Sequence, residues 1–206
     1  MTPNPSVIKL TPEEYKQLAS FNITYGRANT KFGDCLMALN EESFCFVHFG
    51  DTDAGIDELK ETFPNANLSL NDGLIREKSH LFDSEQLDIK VTLKGTLFEM
   101  RVWEYLVHVP RGKTVFYEEV AKGIGKSKSV RAVAKAVAKN RIAYFVPCHR
   151  VIYKNLKLGN YKWGEDLKRK LLANEKQTAK RKFLDLFNNC RKKKLKEVAQ
   201  EDREDK

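Results

Sequence analysis

A cysteine and a histidine lie side by side in the segment AYFVPCHRVI, residues 143–152. The segment is apolar and rich in β-forming residues, so it predicts a strand in which Cys148 and His149 are polar exceptions. A free thiol has a pKa of about 8.5 and is mostly protonated at neutral pH, but a nearby imidazole can convert it into the nucleophilic thiolate. The pair therefore indicates a nucleophilic cysteine with a histidine base, and the simpler alternative is an inert thiol in a buried strand.

This chemistry would need a third group that orients the imidazole. On an extended chain neighbouring side chains point to opposite faces, so His149 need not touch Cys148 and could act through a bound water. A carboxylate would hold the imidazole, but spacing alone does not select one of the 28 acidic residues. The residues by themselves leave the identity of that carboxylate open.

Two short helices joined by a turn are predicted immediately before this segment. Residues 117–124 have helical spacing, residues 125–128 read GKSK, and residues 129–140 predict a second helix capped at its start. This arrangement is typical of a helix-turn-helix, whose second helix commonly enters a groove of DNA. The core-facing stripe of the second helix would consist of Val130, Val133, Ala134 and Val137.

The opposite side of the second helix is basic. Arg131, Lys135 and Lys139 recur every four residues and would form one row of positive charge. The row suits DNA phosphates, although an ordinary solvated helix face would have the same pattern. Small residues beside the row would leave room for a close approach, and these are Ala132, Ala136 and Ala138.

The remaining chain predicts a strand pair and two further helices. Residues 33–49 contain two β-forming runs around a polar turn and predict a hairpin. Residues 51–63 predict a helix that stops at Pro64, and Thr96 is suited to cap a helix that ends before Pro110. Residues 74–93 have no clear pattern, and we expect them to contain the connection between two domains.

The overall charge favours an anionic partner. Lysine and arginine outnumber aspartate and glutamate by 37 to 28, and the net charge of +9 suits nucleic acid or an acidic membrane surface. No apolar run approaches the roughly 20 residues that span a bilayer, and the N-terminus lacks a secretory pattern, so we expect an intracellular protein. The four cysteines are far apart without a CxxC pair, so we predict free thiols and no metal site.

Four ordered motifs between Gly95 and Glu175 carry a resemblance to a known family. They are GTLFEMRVW, VFYEEVAKGIGKSKSVRAVAKAVAKN, VPCHRVI and GNYKWG. In their order and spacing the chain closely resembles the O6-alkylguanine-DNA alkyltransferases, especially the Ada and Ogt branch. The first half of the chain is similar more weakly, through FGDCLMALNEESFCFVHFG and ETFPNANL.

The resemblance implies an α+β fold with two domains. Residues 1–90 would form a ribonuclease-H-like α/β domain. Residues 91–178 would form a helical, winged-helix-like domain that carries the helix-turn-helix and the catalytic site. Residues 179–206 would be a basic tail, partly helical or disordered, which either helps DNA binding or nuclear import or is a solvated end.

The resemblance also implies roles for the catalytic residues. Cys148 would accept the alkyl group, His149 would take the thiol proton through water, and Glu175 would hold the imidazole. Asn140 would brace the turn that carries Cys148, a role compatible with a helix C-cap. Tyr117 would crowd the phosphate beside the lesion and supply a proton or hydrogen bond to the departing guanine.

The implied DNA contacts belong to the helix-turn-helix, whose second helix enters the minor groove in this family while Arg131 fills the place of the extruded base. Because Trp163 stands where some relatives have a small residue, we predict a preference for methyl over benzyl adducts. The expected DNA-binding residues are Tyr117, Ser129, Arg131, Ala132, Lys135 and Lys139. The expected pocket for the flipped base is lined by Ala143, Val151, Tyr161, Lys162 and Trp163.

The implied activity is an irreversible, stoichiometric transfer of the alkyl group from O6-alkylguanine, and from O4-alkylthymine, in double-stranded DNA to Cys148. No cofactor is implied, and we expect a monomer without membrane association, in the cytoplasm of a bacterium or the nucleus of a eukaryote. Three alternatives remain. They are a lesion-binding protein of the same fold without transfer, a helix-turn-helix regulator without chemistry, and a cysteine-histidine hydrolase.

Overall fold

The computed structural model describes residues 5–84 and 89–176, and the predicted basic tail at 179–206 lies outside them. Within these residues the chain has a mixed α/β fold, in which a six-stranded sheet packs against helices from both halves of the chain. The strands of this sheet are β1 (Ser6–Leu10), β2 (Asn22–Thr30), β3 (Gly33–Asn40), β4 (Ser43–Phe49), β5 (Asn67–Leu70) and β6 (Lys90–Lys94).

The sheet combines an antiparallel meander with parallel neighbours, in the order β1-β6-β4-β3-β2-β5. β2, β3 and β4 pair antiparallel, β5 lies parallel to β2, and β6 lies parallel to both β1 and β4. The hairpin predicted at residues 33–49 is confirmed as β3 and β4, and its turn places Glu41 at a φ of +53°.

Three helices accompany the sheet in the first half of the chain: α1 (Pro12–Gln17), α2 (Thr52–Thr62) and α3 (Asp72–Lys78). The helix predicted at residues 51–63 is confirmed as α2. It begins after Asp51, whose carboxylate accepts hydrogen bonds from the N–H groups of Asp53 and Ala54. Its buried Leu59 belongs to an apolar cluster that includes Phe46 of β4, so α2 covers this strand.

The second half contains α4 (Leu97–Val107), α5 (Tyr117–Gly123), α6 (Val130–Ala138) and a helix at residues 165–176, here called α7. A short parallel pair, β7 (Val115–Phe116) and β8 (Val151–Ile152), lies among them. The predicted cap at Thr96 is confirmed: its hydroxyl accepts from the N–H of Glu99, whose carboxylate accepts from the N–H of Thr96. None of the described helices is both long enough and apolar enough to cross a membrane.

α5 and α6 are joined by a turn at the predicted place. The turn contains Gly125 at a φ of +71°, a conformation that glycine adopts without steric cost. On α6, Val133 and Val137 are buried, whereas Val130 and Ala134 are half-buried at the edge of the core. The apolar stripe predicted from the sequence therefore faces the core.

Two details of α6 differ from the sequence prediction. Ser129 stands at the start of the helix, but its side chain makes no capping hydrogen bond, because its backbone is not in the extended conformation that usually aims a cap at the helix. Ala136 is buried rather than exposed, and its carbonyl accepts a hydrogen bond of 2.8 Å from the indole of Trp103. Ala136 therefore belongs to the packing against α4 and not to the open face.

The segment at residues 143–150 is not the strand that its composition predicts. Tyr144 has a φ of +68°, Cys148–Arg150 form one turn of 3-10 helix, and only the following β8 is extended. Pro147 has no N–H group for a strand ladder, and the N–H of Cys148 bonds locally to the carbonyl of Val146 at 2.8 Å. Cys148 consequently lies on a tight loop.

The two halves of the chain share one core. The N–H of Val47 in β4 donates to the carbonyl of Arg141 at 2.8 Å, and the carbonyl of Val47 accepts from Ala143 at 3.1 Å. Because β6 lies inside the sheet, a domain boundary between residues 90 and 91 would separate most of that strand from the sheet. The shared cluster includes Met37, Phe44, Val91, Met100, Leu106, Val133 and Phe145.

Candidate active site

Cys148 is held by Asn140, the residue that follows α6 by two positions. The amide nitrogen of Asn140 donates to the sulfur of Cys148 at 3.0 Å and to the carbonyl of Val146 at 2.9 Å. Its amide oxygen accepts from the N–H of Ile142 at 2.9 Å. One buried side chain thus fixes both the loop and the sulfur that the loop carries.

The surroundings of Cys148 favour the neutral thiol. Burial raises the pKa of the Cys148 thiol, although the hydrogen bond from Asn140 and the positive charge of Lys168 act in the opposite direction. The resting cysteine is therefore protonated, and it is not the preformed thiolate that a neighbouring histidine can produce. If Cys148 is a nucleophile, it has to lose this proton during the reaction.

Glu175 of α7 is the carboxylate that contacts His149. Its Oε1 lies 2.9 Å from Nε2 of His149 and accepts a hydrogen bond from Arg150 at 2.7 Å. Its Oε2 accepts a hydrogen bond from the N–H of Gly112 at 3.1 Å. Burial would raise the pKa of Glu175, but the hydrogen bonds and charges of His149 and Arg150 outweigh it and hold that pKa well below its usual range. Glu175 is therefore an ionised, acceptor-only partner inside the protein.

The contact with Glu175 determines which nitrogen of His149 is free to accept a proton. An ionised carboxylate can only accept, so Nε2 carries the hydrogen and Nδ1 keeps its lone pair. Nδ1 is buried and has no hydrogen-bond partner among the described residues. Burial lowers the pKa of His149 and opposes the charge of Glu175, so the resting imidazole is a neutral base.

Two tyrosines flank the sulfur. Tyr117 begins α5, is buried, and its ring packs against Tyr153 with centroids 5.3 Å apart. Burial raises the pKa of Tyr117 to about 12, and the ionised forms of Tyr153 and Cys148 would act in the same direction. The buried hydroxyl of Tyr161 lies near enough to Cys148 to lower the pKa of the thiol, and burial raises the pKa of Tyr161 well above its usual range. Both phenols therefore stay protonated at neutral pH.

Residues 159–164, here called the pocket loop, contain three of the predicted pocket residues. Tyr161 and Trp163 are half-buried and meet edge to face at 5.2 Å, and Lys162 forms an ion pair with Glu58 of α2. The loop begins and ends with Gly159 and Gly164 at positive φ, where a side chain would be strained. The other two predicted pocket residues, Ala143 and Val151, are buried in the core.

Lys168 is a buried residue of this site that sequence reasoning missed. Its ammonium donates to the carbonyl of Val151 at 2.7 Å and to that of Leu158, and burial lowers its pKa to about 8. A signal was available, because residues 168, 171, 172 and 175 follow helical spacing and place this lysine on the same face as Glu175. Lys168 thereby joins the segment after Cys148 to α7.

The residues predicted to bind DNA lie on the open side of α6 and on α5. Arg131, Ala132 and Lys135 are exposed, and Ser129 is half-buried. Lys139 is exposed too, but its ammonium is 2.6 Å from Glu99 of α4, so part of its charge is already balanced. The row predicted from the sequence is present as an exposed basic face, with Tyr117 buried beside Cys148.

Comparison with known proteins gives consistent results for both halves of the chain. A family model described as "6-O-methylguanine DNA methyltransferase, DNA binding domain" matches residues 97–177. The methylated-DNA--protein-cysteine methyltransferase of Methanosarcina acetivorans is 36% identical over 157 residues, which cover 73% of this chain and 97% of that protein. Mycobacterium tuberculosis OGT in complex with DNA superposes with a TM-score of 0.63 at 29% identity, over 75% of this chain and 93% of that one.

Some relatives are considerably longer. The bifunctional transcriptional activator and DNA repair enzyme Ada of Escherichia coli is 37% identical over 166 residues, which cover 77% of this chain but 47% of Ada. The chain thus spans about half the length of the first relatives it matches. The Methanosarcina protein, in contrast, is matched along nearly all of its length, and the matching family model includes the loop of Cys148 and its partners. The chain therefore belongs to the alkylguanine-DNA alkyltransferase family.

Proposed function

We propose that this chain repairs alkylated DNA by direct reversal, moving the alkyl group from O6 of guanine to the sulfur of Cys148. One observation carries the proposal: Asn140 holds the buried sulfur of Cys148, and Nε2 of His149 contacts ionised Glu175 while Nδ1 has no hydrogen-bond partner among the described residues. This arrangement supplies a nucleophile, a base and an orienting charge. The name of the Methanosarcina relative, a methylated-DNA--protein-cysteine methyltransferase, supports the same reaction.

The reaction would begin with loss of the thiol proton. Nδ1 of His149 accepts that proton through a bridging water, and Glu175 stabilises the imidazolium that results. The thiolate of Cys148 attacks the alkyl carbon, a carbon–sulfur bond forms, and the carbon–oxygen bond breaks with its electron pair moving to the guanine. Tyr117, still protonated because of its raised pKa, donates a hydrogen bond or its proton to the leaving guanine. The proton that His149 releases to solvent is balanced by the one that solvent returns to the guanine anion or to Tyr117.

The product determines that each molecule acts once. The alkyl group ends in a thioether, which has no good leaving group, so Cys148 is not regenerated and repair is stoichiometric. No cofactor takes part in any step. The same displacement applies to the O4-alkyl group of thymine, which we include among the substrates.

The exposed face of α6 would bind double-stranded DNA in the minor groove. Arg131 and Lys135 carry the charge of this face, and Ala132 between them permits a close approach. Tyr117 would crowd the phosphate beside the lesion, and Arg131 would enter the stack as the damaged base turns out. The base would then lie between Tyr161 and the backbone of Val151.

We further propose a fold class for each domain, an oligomeric state and a cellular location. The order β4-β3-β2-β5, with β5 parallel to its neighbour β2, favours a ribonuclease-H-like first domain. The helices α5 and α6 together with the β7–β8 pair favour a winged-helix-like second domain. We place the boundary after β6. The protein would act as a monomer on DNA, in the bacterial cytoplasm or the eukaryotic nucleus, without a membrane.

The intact mass of the protein tests the proposed function directly. After mixing with excess duplex that contains one O6-methylguanine, the protein should gain one methyl group, on the peptide that bears Cys148, with an equal amount of guanine restored. Tight lesion binding with unchanged mass would indicate a binding protein. Repaired DNA with unchanged mass would indicate a turnover enzyme, such as a hydrolase, and neither lesion binding nor repair would favour a regulator.

Trp163 should limit the size of the adduct. Its half-buried indole lies against Tyr161 in the pocket loop, where a benzyl group would need space. We expect transfer from O6-methylguanine to be faster than from O6-benzylguanine by at least about tenfold, a difference of ~1.4 kcal/mol in activation free energy. Single-turnover rates on matched duplexes measure this, and Trp163→Gly should narrow the difference. Equal rates in the unmodified protein would contradict it.

A further inference from the structure

The pocket loop is tied to the first half of the chain by a compact group of charges around Glu58. Oε1 of Glu58 accepts from the ammonium of Lys162, and Nε of Arg141 lies 3.5 Å from the same oxygen. Oε2 lies 3.3 Å from Nδ1 of His48 in β4. The Glu58 side chain is 19% exposed, and those of Lys162 and Arg141 are 26% and 36% exposed, so the carboxylate is the most shielded of these three groups. Glu58 and Lys162, which are 104 positions apart in the sequence, thus meet at the pocket loop.

The same group also fixes Trp163. The ammonium of Lys162 lies over the indole ring, 5.2 Å from its centroid, while it is paired with Glu58. The imidazole of His48 meets that ring edge to face at 6.2 Å. Gly55 of α2 lies next to His48, where a β-carbon would be 3.2 Å from the imidazole. The position of Trp163 is therefore set by side chains of α2 and β4 as well as by its own loop.

The partners of Glu58 stabilise its ionised form. Burial would raise the pKa of Glu58, yet the hydrogen bonds from His48 and Lys162 and the charges of Lys162 and Arg141 lower it to about 2. Glu58 is thus ionised throughout the physiological range. A charge of this kind can restrict a glycine-flanked loop that would otherwise adopt several conformations.

We infer that Glu58 is a positioning residue, which holds Lys162 and Trp163 in place and so makes the first half of the chain a determinant of which alkyl groups the pocket accepts. This inference rests on the proposed function for its effect on substrates. The contact between Glu58 and Lys162 is a property of the protein without DNA and does not depend on the proposed function. Glu58 touches no reacting atom and acts through Lys162.

The first test compares Glu58→Gln with the unmodified protein on two substrates. Without the charge, the pocket loop should loosen, and the ratio of the benzyl to the methyl transfer rate should rise about tenfold, equivalent to ~1.4 kcal/mol. Glu61→Gln, a change of an exposed carboxylate on the same helix, is the matched control and should leave the ratio unchanged. A ratio unaltered by Glu58→Gln, or altered equally by Glu61→Gln, would overturn the inference.

A double-mutant cycle separates positioning from general destabilisation. If Glu58 acts through Lys162, its replacement should have no further effect on the ratio in a Lys162→Met background. Additive effects of the two changes on the rate ratio would show that Glu58 does not act through Lys162. If Glu58→Gln fails to fold, Lys162→Met removes the same ion pair. Because the side chain of Lys162 is partly exposed, we expect this variant to fold.

A second measurement needs no transfer activity. The chain contains two tryptophans, and Trp103 is buried and hydrogen-bonded, so acrylamide quenching of fluorescence reports mainly on Trp163. Glu58→Gln should increase quenching, and a Trp163→Phe variant gives the Trp103 baseline. Increased quenching without any alkyl transfer by the unmodified protein would refute the proposed function but not the contact. Unchanged quenching would refute the contact.

Discussion

Replacing Cys148 with alanine should abolish alkyl transfer while preserving binding to duplex DNA. In the proposed reaction the sulfur forms the new bond, whereas the exposed basic face of α6 that would hold DNA is separate from it. Intact mass after incubation with O6-methylguanine duplex should show no added methyl, and a mobility-shift titration should give an unchanged Kd.

Cys45→Ala is the matched control for this prediction. Cys45 is also buried, and burial raises its pKa to about 12, but it lies in β4 and donates weakly to the carbonyl of Ala38. Its replacement should leave transfer intact. If the Cys148→Ala protein still acquired a methyl group, or still restored guanine, the proposed acceptor would be wrong.

Glu175→Gln should impair both stability and chemistry. The change leaves Arg150 buried without its charged partner, so we expect the free energy of unfolding to fall by ~3–5 kcal/mol. It also removes the charge that stabilises the imidazolium of His149, so single-turnover transfer should slow by at least about 100-fold. Urea denaturation and quench-flow measurements on the same preparation check the two effects.

The effect of Glu175 on stability should depend on pH. Its pKa in the folded protein lies below that in the unfolded chain, so its contribution is present above the unfolded pKa of about 4.3 and is lost as the pH falls below it. The stability of the unmodified protein should therefore decline more steeply below about pH 4.3 than that of Glu175→Gln.

Glu165→Gln supplies the control on the same helix. Glu165 is exposed and pairs with Arg169 four residues later, a contact worth about 0.3–0.5 kcal/mol. Its replacement should affect neither the transfer rate nor the acid limb of the stability curve. Equal behaviour of the two variants would mean that Glu175 is an ordinary helix carboxylate.

Local sequence patterns predicted several of the elements correctly. The hairpin at residues 33–49, α2 and the cap at Thr96 depend on alternation, helical spacing and a side chain three residues away. Interactions between residues so close in the sequence depend mainly on the local sequence. The pattern failed at residues 143–150, where β-forming residues make a tight loop because Pro147 and the contacts of Asn140 prevent an extended ladder.

The sequence by itself indicated Cys148 and His149 as a candidate reactive pair, and it determined the basic row on α6 and, through its motifs, the family. Only the tertiary structure decided which charges act together. His149 and Glu175 are 26 residues apart, and Glu58 and Lys162 are 104 apart, so no local periodicity relates them. The structure also showed that burial raises the pKa of Cys148 despite the adjacent histidine. Ionisation depends on desolvation and on charges in three dimensions, and both arise only when the chain has packed.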